Sequence, residues 1–373
     1  MTGVVITGWS ALSSAGVGVD ALAGRLAGRE LSAVPVSPGV GVGHLYEEPL
    51  PAPDGHALAD FDVRARLGRK GTGSYDRTTA LAVVCCQEAL REAGMTVDDV
   101  TRKRIGVVLG TSLGSFKSTS DYSRETLVQD KPYLVNPMLF PNTVMNCAAG
   151  QVAIRFGLRG VNVTIAGGAL AFLNAVRYAG NVIERGYADV MLTGAVEEYT
   201  PHRAWASHLT GSTTTVAAGE AAGMFALTSP QAPVWAGSRR SARILAVSTG
   251  YGPGGGEQAE RALSGCVNRV LRRAGVDPDA ISTVLTCEGD EADRREYGPV
   301  AYALGHRPRR IMAKRLFGEC DAASGAVALA VLLAAGKDGV AAEGLSMLTA
   351  RGADGAVGAA IVKGYADAGT DRG

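Results

Sequence analysis

The sequence predicts an α/β protein built from two related halves, and two observations carry that expectation. Short apolar runs of strand length alternate with amphipathic runs of helix length almost throughout, which implies mainly parallel sheet covered on both faces. Glycine makes up 50 of 373 residues, about twice the usual ~7%, while aromatic residues are 6%. A core of small residues, packed backbone to backbone with tight strand-to-helix turns, follows from that composition. The length allows two domains or one duplicated unit, at roughly 100–200 residues per domain.

In chain order, residues 4–8 read as a buried strand and 19–27 as its helix. The Pro- and Gly-rich stretch 34–55 is surface loop. Residues 74–93 are amphipathic and stop at Gly94, a common helix terminator. RIGVVLG (104–110) is a buried strand, 137–156 carries a helix, and 161–166 is a strand. A helix over 170–185 closes at Gly186, and 188–193 is again a strand. The series restarts after a break at 210–220. GMFALT (223–228) and 243–248 are strands, 257–274 is an amphipathic helix ending at Gly275, 282–287 is a strand, 323–335 an apolar helix and 358–362 a closing strand. The halves are drawn at 1–228 and 229–373.

With 37 basic and 36 acidic side chains the net charge is +1, which argues against nucleic acid or an anionic membrane as the main partner. Hydrophobic residues at 46% and charged residues at 20% describe a packed globule. The N-terminus has no basic n-region, and the longest apolar helix candidate, 326–335, falls short of the ~20 residues of a membrane span. The six cysteines lack any CxxC spacing and the five histidines do not cluster with them. No metal site is expected, and reduced cysteines in a cytoplasmic protein are the default.

Two glycine-rich turns invite functional readings. Gly250, Gly252 and Gly255 match G-x-G-x-x-G between a strand and a helix, the context of a dinucleotide turn. The acidic residue expected ~20 residues later is missing, since the next strand ends near Glu288, and Pro253 removes an N–H. A plain loop is the better reading, and a dinucleotide-dependent oxidoreductase is the distant alternative. In VTIAGGALAFLNAV (163–176), a strand runs through Gly167, Gly168 and Ala169 straight into a helix. Such a turn commonly presents a nucleophile at a helix N-terminus, yet this one holds no Ser, Cys or Thr.

KRLFGECDAASG (314–325) then resembles the K-x-x-x-G-H-x-x-x-A-A-G segment of β-ketoacyl synthases. Lys314, Gly318, Ala323 and Gly325 match, with Glu319 where that family has its second catalytic histidine. Further matches follow in the family's order: VVITGWSALSSAG at 4–16, VVLGTSLGS at 107–115, and 136–166 with Asn146, Gly150, Gly157 and Gly160. GYADVMLTGAVE at 186–197 and GEAAGMFALT at 219–228 complete them. The resemblance implies a thiolase-like fold, two α/β halves in a five-layer αβαβα arrangement. It places Ala169 at the nucleophilic cysteine and Glu288, in VLTCEGDEADRRE, at the first histidine.

Condensation in that family needs a thiolate to hold the acyl chain and two histidines to donate hydrogen bonds to an enolate oxygen. An alanine carries no acyl group, and an ionised carboxylate only accepts. No independent condensing activity and no cofactor are expected. A body of this kind resembles the chain-length factors of type II polyketide synthases, inactive partners of an active ketosynthase that shape its elongation tunnel. Those usually have glutamine at the former cysteine, so any role of that glutamine does not carry over to Ala169. The short chain leans toward the subgroup serving highly reducing, polyene-forming systems.

The resemblance further implies a heterodimer in which strand 161–166, with Asn162, Val163, Thr164 and Ile165, pairs across the axis. It also implies tunnel-facing positions Phe116, Thr119 and Ser123, spaced i, i+3, i+7 on one helix face, and an acyl carrier protein met mainly through the partner. Lys314 beside Glu288, Glu319 or both makes an ion pair filling the vacated site. Three arginine groups (Arg239, Arg240 and Arg243; Arg269, Arg272 and Arg273; Arg307, Arg309 and Arg310) read as solvated faces. The alternative within the same fold is an enzyme with repurposed chemistry using Glu288, Glu319 or Cys320.

Overall fold

The computed structural model describes residues 3–32, 35–210, 216–232, 242–336 and 344–364. The first half supplies five long strands, beside two-residue ones: β1 (Val4–Ser13), β2 (Ile105–Thr111), β3 (Asn162–Ala166), β4 (Val190–Glu197) and β5 (Ala221–Thr228). They lie in the order β3-β2-β4-β5-β1. The second half supplies β6 (Ala242–Tyr251), β7 (Ile281–Thr286), β8 (Arg309–Met312), β9 (Leu345–Arg351) and β10 (Ala356–Gly364). Their order, β8-β7-β9-β10-β6, is the same permutation. β1 and β6 join the two sets by a short antiparallel register, Val4 to Ile6 against Ile244 to Ala242.

The helices repeat as well. In the first half α1 is Val19–Leu26, α2 Arg77–Glu92, α3 Phe116–Val128, α4 Cys147–Phe156, α5 Ala171–Glu184 and α6 Pro201–Leu209. In the second, α7 is Gly256–Ala274, α8 Tyr297–Leu304 and α9 Ser324–Gly336. α2 and α7 each precede the second strand of their set, α4 and α8 the third, and α5 and α9 follow it. α5 and α9 pack against strands of both sets, whereas α2 covers the outer face of the first and α7 that of the second. The result is five layers, αβαβα, the fold class that the resemblance implied.

Small residues permit this stacking. A Cβ at Gly110 of β2 would come within 3.0 Å of the Ala171 Cβ, and one at Gly223 of β5 within 2.7 Å of the Ala326 Cβ. The central helices therefore sit closer to the strands than any larger side chain allows. α9 is apolar on all sides and buried from Ala326 to Ala335, as expected of a helix between two sheets.

The mainly parallel expectation fails in a specific way. β2 pairs in parallel with β3 and β4, and β7 with β8 and β9. β5 and β10 run antiparallel to both of their neighbours. For β10 the cause is covalent: residues 352–355 turn directly from β9 into β10, with Gly355 at φ +96°, and so short a connection returns the chain antiparallel. Within 137–156 only 147–156 is a sustained helix, because Val144 takes an extended conformation (φ −93°, ψ 133°) that interrupts it.

The G-x-G-x-x-G turn has a packing explanation. A Cβ on Gly252 would meet backbone of α7 at 2.4 Å, and the Gly252 N–H donates to the Gly355 carbonyl at 2.9 Å. The β9–β10 turn is thus seated on the glycines, and the N–H that a phosphate would need is already used.

Candidate functional site

The two central helices start alike. β3 ends at Ala166, Gly168 adopts φ +52°, and a 3-10 turn, Gly168–Leu170, leads into α5. In the second half the 3-10 turn Asp321–Ala323 leads into α9, and the two turns touch. Ala169 lies half-buried in the first turn against the central core. Its methyl group offers neither nucleophile nor hydrogen bond.

Across from it, Glu319 is fully engaged. One carboxylate oxygen meets the Lys314 ammonium, and the other accepts from the Asp321 N–H at 3.0 Å and the Ser324 hydroxyl at 3.3 Å, capping the approach to α9. Burial works to lower the Lys314 pKa, but the Glu319 carboxylate, with Cys287 behind it, more than offsets that and holds the lysine above its ordinary range. Lys314 is a permanent cation here, not a base.

Glu288 is held elsewhere. Its Oε1 accepts from the Glu296 and Tyr297 N–H groups at 2.8 and 3.3 Å, at the start of α8, and its Oε2 binds Arg310 at 2.5 Å. Arg310 also donates to the Asp293 and Asp290 carbonyls at 2.6 and 3.2 Å and stands over the Tyr297 ring, 5.3 Å from its centre. Lys314 thus pairs with one of the two carboxylates, and Arg310, read from sequence as part of a solvated cluster, takes the other. Of the other arginines in those clusters, Arg239 and Arg240 lie outside the described residues.

Three further participants have no role assigned from sequence, although Glu296 falls within the D-R-x-E tail (Asp293, Arg294, Glu296) after Glu288. Glu296 is buried, accepting from the Cys287 N–H at 3.0 Å and the Thr349 hydroxyl at 2.8 Å; burial and then the Glu288 charge push its pKa up to about 7. Arg203, 3% exposed, donates to the carbonyls of Glu198, Gly219 and Glu319 and to the Asp321 carboxylate. It ties the first half to the turn before α9. The ring of His56 packs against Gly318, a neighbour invisible across 262 positions; burial, then Arg25, keeps it below its usual pKa.

Among the described residues the two thiols near this site offer no substitute nucleophile. Cys287 and Cys320 are buried, and burial holds both thiols far above the thiol range, so neither forms a thiolate at neutral pH. Glu288 and Glu319 have their acceptor capacity committed to cations and backbone N–H groups.

The other predicted positions lie at one edge. Among the described residues β3 pairs only with β2, which leaves the far edge of Asn162, Val163, Thr164 and Ile165 without a strand partner there. The Thr164 hydroxyl is buried without a hydrogen bond. Phe116 and Thr119 are half-buried and Ser123 is exposed on α3, a helix with no fully buried residue. Thr119 donates to the Ser115 carbonyl at 3.0 Å. Ten of the eighteen exposed large apolar side chains among the described residues fall between Leu113 and Ile154, in the segment beside this edge.

The family profile described as β-ketoacyl synthase, N-terminal domain, matches residues 1–229. The chain belongs to the β-ketoacyl synthase family. This β-ketoacyl synthase homologue is similar to the solved ishigamide ketosynthase/chain length factor, at 31% identity with 97% of this chain and 99% of that chain covered and a TM-score of 0.83. A β-ketoacyl synthase from Burkholderia phymatum STM815 shares the fold, with a TM-score of 0.83 over 98% and 100% of the two chains at 20% identity. The 3-oxoacyl-[acyl-carrier-protein] synthase 2 of Staphylococcus aureus (strain N315) is 31% identical over 147 residues, 39% of this chain and 35% of that protein. The match therefore spans about a third of that curated relative. Among the described residues no helix is long and apolar enough to cross a membrane.

Proposed function

We propose that this β-ketoacyl synthase homologue is a catalytically silent chain-length factor. In this reading it forms a heterodimer with an active ketosynthase and shapes the tunnel into which the partner's polyketide grows. The observation that carries it is the turn before α5, where Ala169 stands at the head of the central helix while Glu319 and Glu288 are consumed by Lys314 and Arg310. Losing one oxyanion donor costs ~10²–10³ in rate, and here nucleophile and both donors are replaced together. The similarity to the ishigamide ketosynthase/chain length factor over nearly the whole of both chains supports the same reading.

The free edge of β3 and the apolar segment beside it support a partner strand added to Asn162, Val163, Thr164 and Ile165, since an open edge of this kind invites pairing. We place the division between halves at 228/229, each part holding one set of five strands. The acyl carrier protein is met chiefly through the ketosynthase, and the complex works in the cytoplasm without a cofactor.

The test is to incubate the purified chain with acyl- and malonyl-loaded carrier protein, with and without the active ketosynthase. Turnover only with the partner, and no acyl group on this chain by intact mass, is the expected result. A thioester on this chain, or elongation by it alone, would falsify the reading in favour of repurposed chemistry. Phe116→Ala is expected to lengthen the product of the complex; an unchanged product distribution removes Phe116 from the tunnel.

A further inference from the structure

Two arginines line one concavity that has no carboxylate among its lining residues. A pocket of about 370 Å³ opens between α5, β6 and α7, lined by Arg177, Asn181, Val247 and Arg273. Arg177 and Asn181 are one turn apart on the exposed face of α5, so their side chains point the same way. Arg273 lines it from the last turn of α7 in the other half, and its Nη1 donates to the Val247 carbonyl at 3.3 Å. Among the described residues neither the Arg177 guanidinium nor the Asn181 amide has a hydrogen-bond or ion-pair partner.

The arrangement has no internal explanation of charge. Arg273 gains from the negative end of α7, but Arg177 sits mid-helix, seven residues before the end of α5. Glu184 lies further along α5 and does not line the pocket. The neighbouring Arg269 is spent on the Ser248 hydroxyl at 2.9 Å. Two cations facing one concavity repel each other unless an anion sits between them. Nor does the site coincide with the vacated one, since Arg177 is eight residues past Ala169, or about 12 Å along the helix at ~1.5 Å per residue.

We propose that this pocket binds a phosphate monoester. Two guanidinium forks match the three oxygens and the near-double negative charge of a monoester better than the single charge of a diester. The Asn181 amide adds one more donor. The site spans both halves, with one arginine from each, and it is independent of whether the chain is a chain-length factor.

Calorimetric titration of the full chain at fixed ionic strength tests this, with inorganic phosphate, pantetheine 4′-phosphate, dimethyl phosphate and chloride as probes. Saturable millimolar binding of inorganic phosphate is expected, weakened about five- to tenfold by Arg177→Gln and by Arg273→Gln, with dimethyl phosphate and chloride weaker still. Tighter binding of pantetheine 4′-phosphate than of inorganic phosphate assigns the pocket to monoesters of an organic group, whereas equal binding assigns it to free inorganic phosphate. Both arginines are exposed, so melting curves of the variants should overlay the parent, and Arg177→Lys should keep part of the affinity. Absence of saturable phosphate binding, or binding that Arg177→Gln leaves unchanged, overturns the proposal.

Discussion

At the scale of single residues, the pair Lys314–Glu319 explains how the site remains a stable piece of protein. A carboxylate placed in a vacated catalytic pocket would be costly if left alone. Here it meets a lysine, an N–H and a hydroxyl, and the two side chains keep only 13% and 17% of their exposure. Removing the cation alone strands the acid. Lys314→Met is therefore expected to destabilise the chain by about 2–4 kcal/mol, read from urea unfolding, and the double variant Lys314→Met/Glu319→Gln should recover most of that loss. If the two losses simply add, the pair is not what holds this turn together.

At the scale of elements, legibility followed periodicity and sequence distance. α7 was readable because Ala259, Leu263, Cys266, Val267, Val270 and Leu271 repeat at helical spacing and are all buried. The turn at Gly167 and Gly168 was readable because small residues between a strand and a helix have few other uses. β8 was not, since RRIM opens with two half-buried arginines at the sheet's edge. The Arg310–Glu288 pair was hidden with it, because 22 residues and a loop separate the partners. Lys314 and Glu319, five residues apart across one turn, were within reach.

The antiparallel run of β5 and β10 is a property of connections, which alternation alone does not encode. The edge elements also carry a prediction: Ile154 on α4 is 73% exposed, so it has no packing to lose within this chain. Ile154→Asp should leave the melting temperature nearly unchanged yet weaken association with the ketosynthase about tenfold or more. Co-purification at parental yield would place the interface elsewhere.

Across the whole molecule, four buried acids in the two halves shape the pH response. Burial is the leading cause that raises the pKa of Asp76, Glu197, Glu198 and Glu296, with Glu198 and Glu296 reaching about 7. Glu198 faces Asp76 and Glu220 and accepts from the Thr78 hydroxyl and the Lys117 N–H. A carboxyl whose pKa is higher folded than unfolded binds its proton more tightly in the fold. Its stabilisation is complete below the unfolded value, near 4.5, and is lost as pH rises through about 7. His56, depressed in the fold, acts oppositely below 6.5, but it is one group against four. At ~1.4 kcal/mol per tenfold change in proton affinity, Glu198 and Glu296 each account for on the order of 3 kcal/mol. The melting temperature should therefore fall between pH 5.5 and pH 8, and Glu198→Gln should flatten the fall by stabilising the chain at pH 8 while changing little at pH 5. A parental profile that rises over this interval, or a Glu198→Gln difference independent of pH, would show that these acids are ionised in the fold and held by partners stronger than their burial.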